Sequence, residues 1–276
     1  MIFMCNGFIC VSSGASGTVW RERNMGKRNM GEIIDVHSHI LPGIDDGSRR
    51  MWETRELLKQ AYGQGIRGVI ATPHYHRGKH YVDPDGILEL TEKVQAEADK
   101  LFPDMKIYAG QELIYYHGIF DAVAAGKTVP LAGSDCLLME FQTDVTYEII
   151  YQAVRQMALM RYRPVLAHIE RYPCLRAPGR IEELRKSGAY MQMNFSSLCA
   201  GSLQVRKVKE SLWCRKMVQE GKIQFFGTDM HRVNFRPPEI KKAVEWMNRK
   251  CGEERAERMM YGNPVEILIG ETAGRD

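Results

Sequence analysis

The sequence holds histidine and carboxylate residues at spacings that suit metal binding. His37 and His39 in IIDVHSHILPGIDDGS are separated by one residue, as are Asp229 and His231 in TDMH. Residues i and i+2 of an extended strand project to the same face, so each pair can present two ligand atoms to one ion. Imidazole and carboxylate ligands suit manganese, iron or zinc. Either pair alone is equally consistent with hydrogen-bonded residues at a strand end.

Further residues of the same types follow short apolar runs elsewhere in the chain. They are His74, Glu112, Glu140 and His168, and the loop after the first histidine pair adds Asp45 and Asp46, between which the spacing alone does not choose. So many ionisable groups gathered in one place would be costly without cations to neutralise the carboxylates. Their number exceeds what one ion can bind, so we expect two or three ions. Multinuclear sites of this kind activate water and hold phosphate, which makes phosphoester hydrolysis the leading chemistry.

An alternation of strands and helices would bring these residues together. Short runs rich in Val, Ile and Phe predict strands at 32–36, 67–71, 106–110, 137–141, 164–168, 190–194 and 223–227. Helical periodicity lies between them, as in Tyr147, Ile150, Tyr151, Val154 and Met157. This order predicts an α/β fold, a closed or distorted (β/α)7 TIM-like barrel rather than an open sheet. Catalytic residues of such barrels lie at the carboxyl ends of the strands, where these candidates stand.

The composition excludes several classes of protein. The 276 residues are 44% hydrophobic and 26% charged, with a formal net charge of +4, as in ordinary globular proteins. There is no basic stripe for nucleic acid and no apolar run near ~18 residues for a membrane span. The 7 cysteines are scattered, without a C-x-x-C pair, which predicts reduced thiols in a cytoplasmic protein.

Six segments together resemble one known family. In chain order they are DVHSHILPGIDDGS, TPHYHRG, GQELIYY, LLMEFQ, AHIERY and GTDMHRVNFRPP. They are similar to the PHP (polymerase and histidinol phosphatase) superfamily. More narrowly, they resemble its bacterial manganese-dependent protein tyrosine phosphatases of capsule and exopolysaccharide synthesis. The resemblance covers 33–269 and implies the PHP fold, a distorted seven-stranded barrel with a trinuclear manganese site.

The resemblance also implies how the ligands divide among the ions. The ligands of the first ion would be His37, His39, Glu112 and Asp229. Those of the second would be Glu112, Glu140 and His168. Those of the third would be Asp46, His74 and His231. Glu112 would therefore bridge two ions, and a metal-bridging hydroxide would attack the phosphorus in line.

Two arginines follow the candidate ligands, Arg171 in HIERY and Arg236 in NFRPP. A guanidinium fork matches phosphate oxygens, although such arginines can also be surface residues or structural partners of carboxylates. The resemblance implies that both bind the phosphate and stabilise the transferring phosphoryl group. His231 is a candidate acid for the phenolate leaving group. Tyr115 and Tyr116 could border the pocket or pack in the interior.

One segment matches the motif of a different class of phosphatase, but only in the spacing of two residues. CLRAPGR, from Cys174 to Arg180, has the C-x5-R spacing of cysteine-dependent tyrosine phosphatases, in which a thiolate attacks phosphorus. The preceding His and the Gly-rich loop of those enzymes are missing, and Pro178 removes an amide donor. We therefore predict that Cys174 is an ordinary loop residue.

Other functions use similar residues. Among the alternatives, hydrolysis of histidinol phosphate fits these residues best. An amidohydrolase-like metal nuclease and a non-enzymatic scaffold fit them less well. The family implies a partner, the phosphotyrosine tail of a bacterial tyrosine autokinase in a membrane-bound polysaccharide assembly system. We expect no nucleic-acid partner and no direct membrane insertion.

Residues 1–30 differ from the rest of the chain. A short apolar run and small residues precede the polar segment RERNMGKRNMGE, and the basic start of a secretory signal is missing. We predict a leader that is disordered or foreign to the native protein, with a start at Met25 or Met30. Residues 31–276 would then form a single PHP-type phosphatase domain.

Overall fold

The computed structural model describes residues 32–75, 82–199 and 205–270, with the backbone alone at 205–207. The predicted leader at 1–30 lies outside the described residues. Every pairing between the strands of the described chain is parallel. No helix among these residues is long and apolar enough to cross a bilayer.

The described chain contains nine strands. They are β1 (Ile33–Ser38), β2 (Ile66–Ala71), β3 (His74–Tyr75), β4 (Lys106–Ala109), β5 (Glu112–Ile114), β6 (Cys136–Glu140), β7 (Arg163–Leu166), β8 (Tyr190–Asn194) and β9 (Phe225–Gly227). One sheet has the order β1-β2-β4, and the other has the order β3-β5-β6-β7-β8-β9.

The two sheets together form a distorted barrel. β2 pairs with β4 and β3 pairs with β5, so β2–β3 and β4–β5 act as two long strands, each interrupted by two residues. The nine strands therefore occupy seven positions around the barrel. The ring closes where the backbone N–H of His39 donates to the carbonyl of Met230 (2.9 Å) and that of Asp229 donates to His37 (2.9 Å). The predicted distorted barrel is confirmed.

Eight α-helices lie along the described chain. They are α1 (Met51–Tyr62), α2 (Pro84–Leu101), α3 (Ile119–Ala124), α4 (Tyr147–Leu159), α5 (Arg180–Lys186), α6 (Val205–Gln219), α7 (Lys241–Cys251) and α8 (Glu253–Glu257). α4 buries Ile150, Val154 and Met157, so the predicted helical face is confirmed. Wide helical turns at Arg258–Gly262 and Pro264–Ile269 end the described chain.

Alternation along the strands separates two apolar clusters. In β6, Leu137 and Met139 join the larger cluster beneath the helices, whereas Cys136 and Leu138 join a smaller one. Successive side chains of a strand point to opposite faces, so Glu140 lies on the same face as Cys136 and Leu138. The strand thus carries apolar residues along this face and a carboxylate at its carboxyl end.

Candidate metal centre

The barrel brings the nine predicted ligands together at the carboxyl ends of its strands. Three groups have ligand atoms that all lie within 4.8 Å of one another. The groups are His37, His39 and Glu112; then His74, Glu112 and Glu140; then His39, Asp46, His74 and His231. Glu112 belongs to two groups, which matches the bridging position that the resemblance implies. His39 and His74 also belong to two groups, so the ligands overlap more than expected.

The remaining two predicted ligands adjoin these groups. His168 Nε2 lies 3.1 Å from Glu112 Oε1 and 3.3 Å from Glu140 Oε1. Asp229 Oδ1 lies 3.5 Å from His39 Nε2. One continuous cluster therefore contains all nine residues.

Hydrogen bonds on the far side of each ring aim the histidines into the cluster. His37 Nδ1 lies 3.3 Å from the side-chain oxygen of Gln192, and His39 Nδ1 lies 2.8 Å from Asp45 Oδ2. His231 Nδ1 donates to the carbonyl of Asp229 (2.8 Å). An acceptor at Nδ1 keeps a proton on that nitrogen, so Nε2 is the atom that can bind a cation, as in histidines that bind metal.

Nitrogen and oxygen atoms of the proposed ligands lie close together inside the cluster, and not all of them have a hydrogen-bond partner. His37 Nε2 and His39 Nε2 lie 3.3 Å apart, and Glu112 Oε2 lies 3.1 Å from the first and 3.3 Å from the second. His74 Nδ1 lies 3.1 Å from the same oxygen, yet it is buried without a hydrogen bond. Convergent nitrogen and oxygen lone pairs of this kind fit divalent cations.

Positive groups around the carboxylates keep them ionised despite burial. Burial opposes ionisation of Glu112 and Asp229, but His37 and neighbouring histidines hold the pKa of both carboxyls well below the usual range. Burial also opposes ionisation of Asp45, whereas its contact with His39 lowers the pKa of Asp45 to about 2. The carboxylates are thus ready for cation binding at neutral pH.

Both predicted arginines border the cluster. Arg171 pairs with Asp229, and its Nη1 lies 3.4 Å from Glu140 Oε1. Arg236 Nη1 lies 3.4 Å from Asp229 Oδ2 and 3.4 Å from His231 Nε2. Two guanidinium groups therefore stand beside the ligand atoms on the open side of the site, where they could also contact phosphate oxygens.

Three residues of the site have left-handed backbone conformations. They are His168 (φ 31°), Asp229 (φ 54°) and Arg236 (φ 56°). Residues other than glycine rarely adopt this region, and such strain is concentrated at functional sites. His168 follows β7, and Asp229 and Arg236 follow β9, so these conformations occur where the strands end at the metal centre.

Several buried polar residues support the site but were not identified from the sequence. Asp35 accepts hydrogen bonds from the backbone and the hydroxyl of Thr228 (2.8 and 2.5 Å), which ties β1 to the segment before Asp229. Gln192 and Asn194 lie at i and i+2 on β8 and are buried. The i, i+2 spacing of polar residues in YMQMN is a signal that could have identified this last pair.

The residues outside the cluster behave as ordinary structural groups. Burial raises the pKa of the Cys174 thiol, and Arg180 Nη1 donates to the carbonyl of Cys174 (2.6 Å). The arginine thus holds the loop backbone, and a thiolate nucleophile is disfavoured. Tyr115 and Tyr116 pack against the larger apolar cluster, Tyr115 stacking on Phe141 at 5.1 Å.

Comparison with known proteins identifies relatives over most of the chain. The family model described as capsular polysaccharide synthesis, CpsB/CapC, matches residues 33–269. The tyrosine-protein phosphatase CpsB of Streptococcus agalactiae serotype V is 31% identical over 238 residues, covering 86% of this chain and 98% of the relative. The tyrosine-protein phosphatase YwqE of Bacillus subtilis is 30% identical over 244 residues, covering 88% and 94%.

Solved structures show the same architecture. A crystal structure from a study of YwqE from Bacillus subtilis and CpsB from Streptococcus pneumoniae, described as unique metal-dependent tyrosine phosphatases, superposes with a TM-score of 0.76. It is 27% identical and covers 86% of this chain and 94% of that one. A mutant organophosphorus hydrolase from Deinococcus radiodurans has a TM-score of 0.52 at 12% identity, a similarity of fold alone.

Proposed function

The chain belongs to the CpsB/CapC family of capsular polysaccharide synthesis proteins, and we infer from this that it is a metal-dependent tyrosine-protein phosphatase. The enzyme hydrolyses a phosphoric monoester. The observation that carries the inference is the continuous histidine and carboxylate cluster at the carboxyl ends of the strands. Relatives that match along 98% and 94% of their own length bear the same activity in their names.

We propose that the cluster binds two or three divalent ions, with manganese as the ion that the resemblance implies, although the same ligands also suit iron or zinc. The proposed ligands are His37, His39, Asp46, His74, Glu112, Glu140, His168, Asp229 and His231. Bound ions would supply Lewis-acid activation of water and neutralisation of phosphate charge. The overlap of the three groups at Glu112, His39 and His74 supports closely spaced ions.

Arg171 and Arg236 would bind the phosphate oxygens and stabilise the charge of the transition state. Both guanidinium groups lie 3.4 Å from a carboxylate oxygen of a proposed ligand, and this position beside the ions that would hold the phosphate supports the proposal. For His231, burial lowers the pKa to about 4, so the ring is neutral near pH 7. A neutral ring whose Nδ1 proton is held by a carbonyl suits a metal ligand better than a proton donor.

The proposed substrate is the phosphotyrosine tail of a bacterial tyrosine autokinase that regulates capsule or exopolysaccharide synthesis. The family description and the names of the relatives support a role in that system. The enzyme would act in the cytoplasm, and residues 31–276 would form its single catalytic domain.

A phosphatase assay on a phosphotyrosine peptide tests this function. We expect chelation to abolish hydrolysis, manganese to restore it, and Cys174→Ser to leave it unchanged. Activity that survives chelation but is lost in Cys174→Ser would overturn the metal mechanism. Faster hydrolysis of histidinol phosphate than of the peptide would overturn the substrate class.

A further inference from the structure

A short hairpin after β9 fixes an aromatic residue at the edge of the candidate metal centre. The backbone N–H of Arg232 donates to the carbonyl of Phe235 (2.9 Å), and the N–H of Phe235 donates back to Arg232 (3.2 Å). The N–H of His231 donates to the carbonyl of Arg236 (3.0 Å). Arg232 Nε also reaches the carbonyl of Asp46 (3.3 Å), so the hairpin is tied to the loop that follows β1.

The Phe235 ring adjoins two residues of the site and is itself partly open to solvent. It meets the His231 ring edge to face, with the centroids 6.4 Å apart and the planes at 88°. The Arg236 guanidinium carbon lies 5.4 Å from its centroid. Phe235 is nevertheless 54% exposed, whereas His231 is 2% exposed. A single exposed apolar residue is common, so its position beside a proposed phosphate-binding arginine carries the argument.

The chemistry of the substrate relates Phe235 to the reaction. In phosphotyrosine one oxygen joins the phosphorus to the aromatic ring, so the ring must lie just outside the phosphate site. A phosphate held by Arg171 and Arg236 therefore directs its aryl group toward the open side of the site. Phe235, beside Arg236, offers an apolar face there, and aromatic rings pair favourably at centroid distances of about 4.5–7 Å.

We propose that Phe235 is a specificity-determining residue that packs against the aryl ring of the substrate and favours aryl over alkyl phosphomonoesters. This inference rests on the proposed phosphatase function. It identifies a contact that phosphoserine, phosphothreonine and alkyl phosphates cannot make. The hairpin hydrogen bonds fix the backbone that carries the ring before the substrate binds, which limits the entropy lost on binding.

The test compares phosphotyrosine and phosphoserine peptides of identical sequence on the manganese-loaded enzyme. For Phe235→Ala we expect kcat/KM to fall about tenfold on the phosphotyrosine peptide and to stay unchanged on the phosphoserine peptide. Phe235→Tyr, which keeps the ring, should retain the native preference. Leu212→Ala, an exposed apolar residue on α6 (59% exposed), is the control and should change neither value.

Binding of two phosphonates separates this inference from the proposed function. Phenylphosphonate should bind about tenfold more weakly to the Phe235→Ala holoenzyme than to the native one, whereas methylphosphonate should bind both equally. Equal losses on both peptides, or no loss in either assay, would overturn the role of Phe235. If the native enzyme hydrolyses neither peptide, the proposed function fails, and the phosphonate comparison still decides whether Phe235 binds an aryl group.

Discussion

One buried amide orients much of the candidate metal centre. The side-chain oxygen of Gln192 accepts hydrogen bonds from His37 Nδ1 (3.3 Å) and from the backbone N–H of His168 (2.6 Å). Its nitrogen donates to Asn194 (3.0 Å), whose own amide nitrogen donates to Asp229 Oδ2 (3.0 Å). The proposed ligands at three strand ends are thus connected through β8, a strand that carries no ligand itself.

Replacing this amide should weaken metal binding. Gln192→Leu keeps the side-chain size but removes the acceptor that fixes the His37 tautomer, and such changes lower metal affinity about 10–100-fold. Titration of free Mn²⁺ by electron paramagnetic resonance measures the affinity. Gln95→Leu, which removes a half-buried hydrogen bond from the backbone N–H of Ile107 (2.7 Å) away from the metal centre, is the control and should keep native affinity. Equal affinities in the two variants would contradict the orienting role.

The shape of the Arg171 side chain should matter as well as its charge. Arg171→Lys keeps the cation but loses the planar fork, so we expect kcat/KM for the phosphotyrosine peptide to fall by roughly 100-fold while the manganese content stays native. Arg176→Lys, an arginine bound to Glu210 (3.1 Å), is the matched control and should retain activity. Near-native kinetics in Arg171→Lys would show that only the charge of Arg171, and not its planar shape, contributes to catalysis.

At the scale of elements, close contact between β1 and β9 sets the position of His37. A Cβ atom at Gly227 would lie 2.5 Å from His37 Cβ and 3.1 Å from His37 N. It would also lie 3.0 Å from Gln192 Nε2. Three neighbouring strands therefore meet at a position where only glycine fits, because strand backbones and buried side chains cannot move aside easily.

Gly227→Ala should therefore separate β9 from β1 and disturb the metal centre. We expect the free energy of unfolding to fall by roughly 1–3 kcal/mol, as for other overpacked cores, together with weaker Mn²⁺ binding. Chemical denaturation and metal titration measure the two effects. In Gly63→Ala the added Cβ lies 3.3 Å from a helix carbonyl at a helical φ of −64°, so both values should stay near native. An unaltered metal affinity in Gly227→Ala would show that β9 can shift without moving His37.

At the scale of the whole molecule, most of the barrel could be predicted from the sequence. All seven predicted strands are present, since buried parallel strands are recognisable as apolar runs. β3 and β5 were missed because strands of two and three residues carry no periodicity. The spacing in YMQMN marks Gln192 and Asn194 as a pair, but the supporting roles of Asp35, Gln192 and Asn194 could not be predicted, because their partners lie far away in the chain and only the fold brings them together.

Metal binding should stabilise the entire barrel, because the proposed ligands come from strands all around it and lie where the ring closes. Free Mn²⁺ at 100 times its dissociation constant stabilises the folded state by about 2.7 kcal/mol. For a domain of this size, that raises Tm by roughly 5–10 °C. Differential scanning calorimetry with Mn²⁺ and with chelator measures the shift. Glu112→Gln removes the shared carboxylate, so its Tm should depend far less on Mn²⁺, whereas Cys174→Ser should show the native shift. A native Tm that is the same with and without Mn²⁺ would mean that the cluster binds no ion in the folded enzyme.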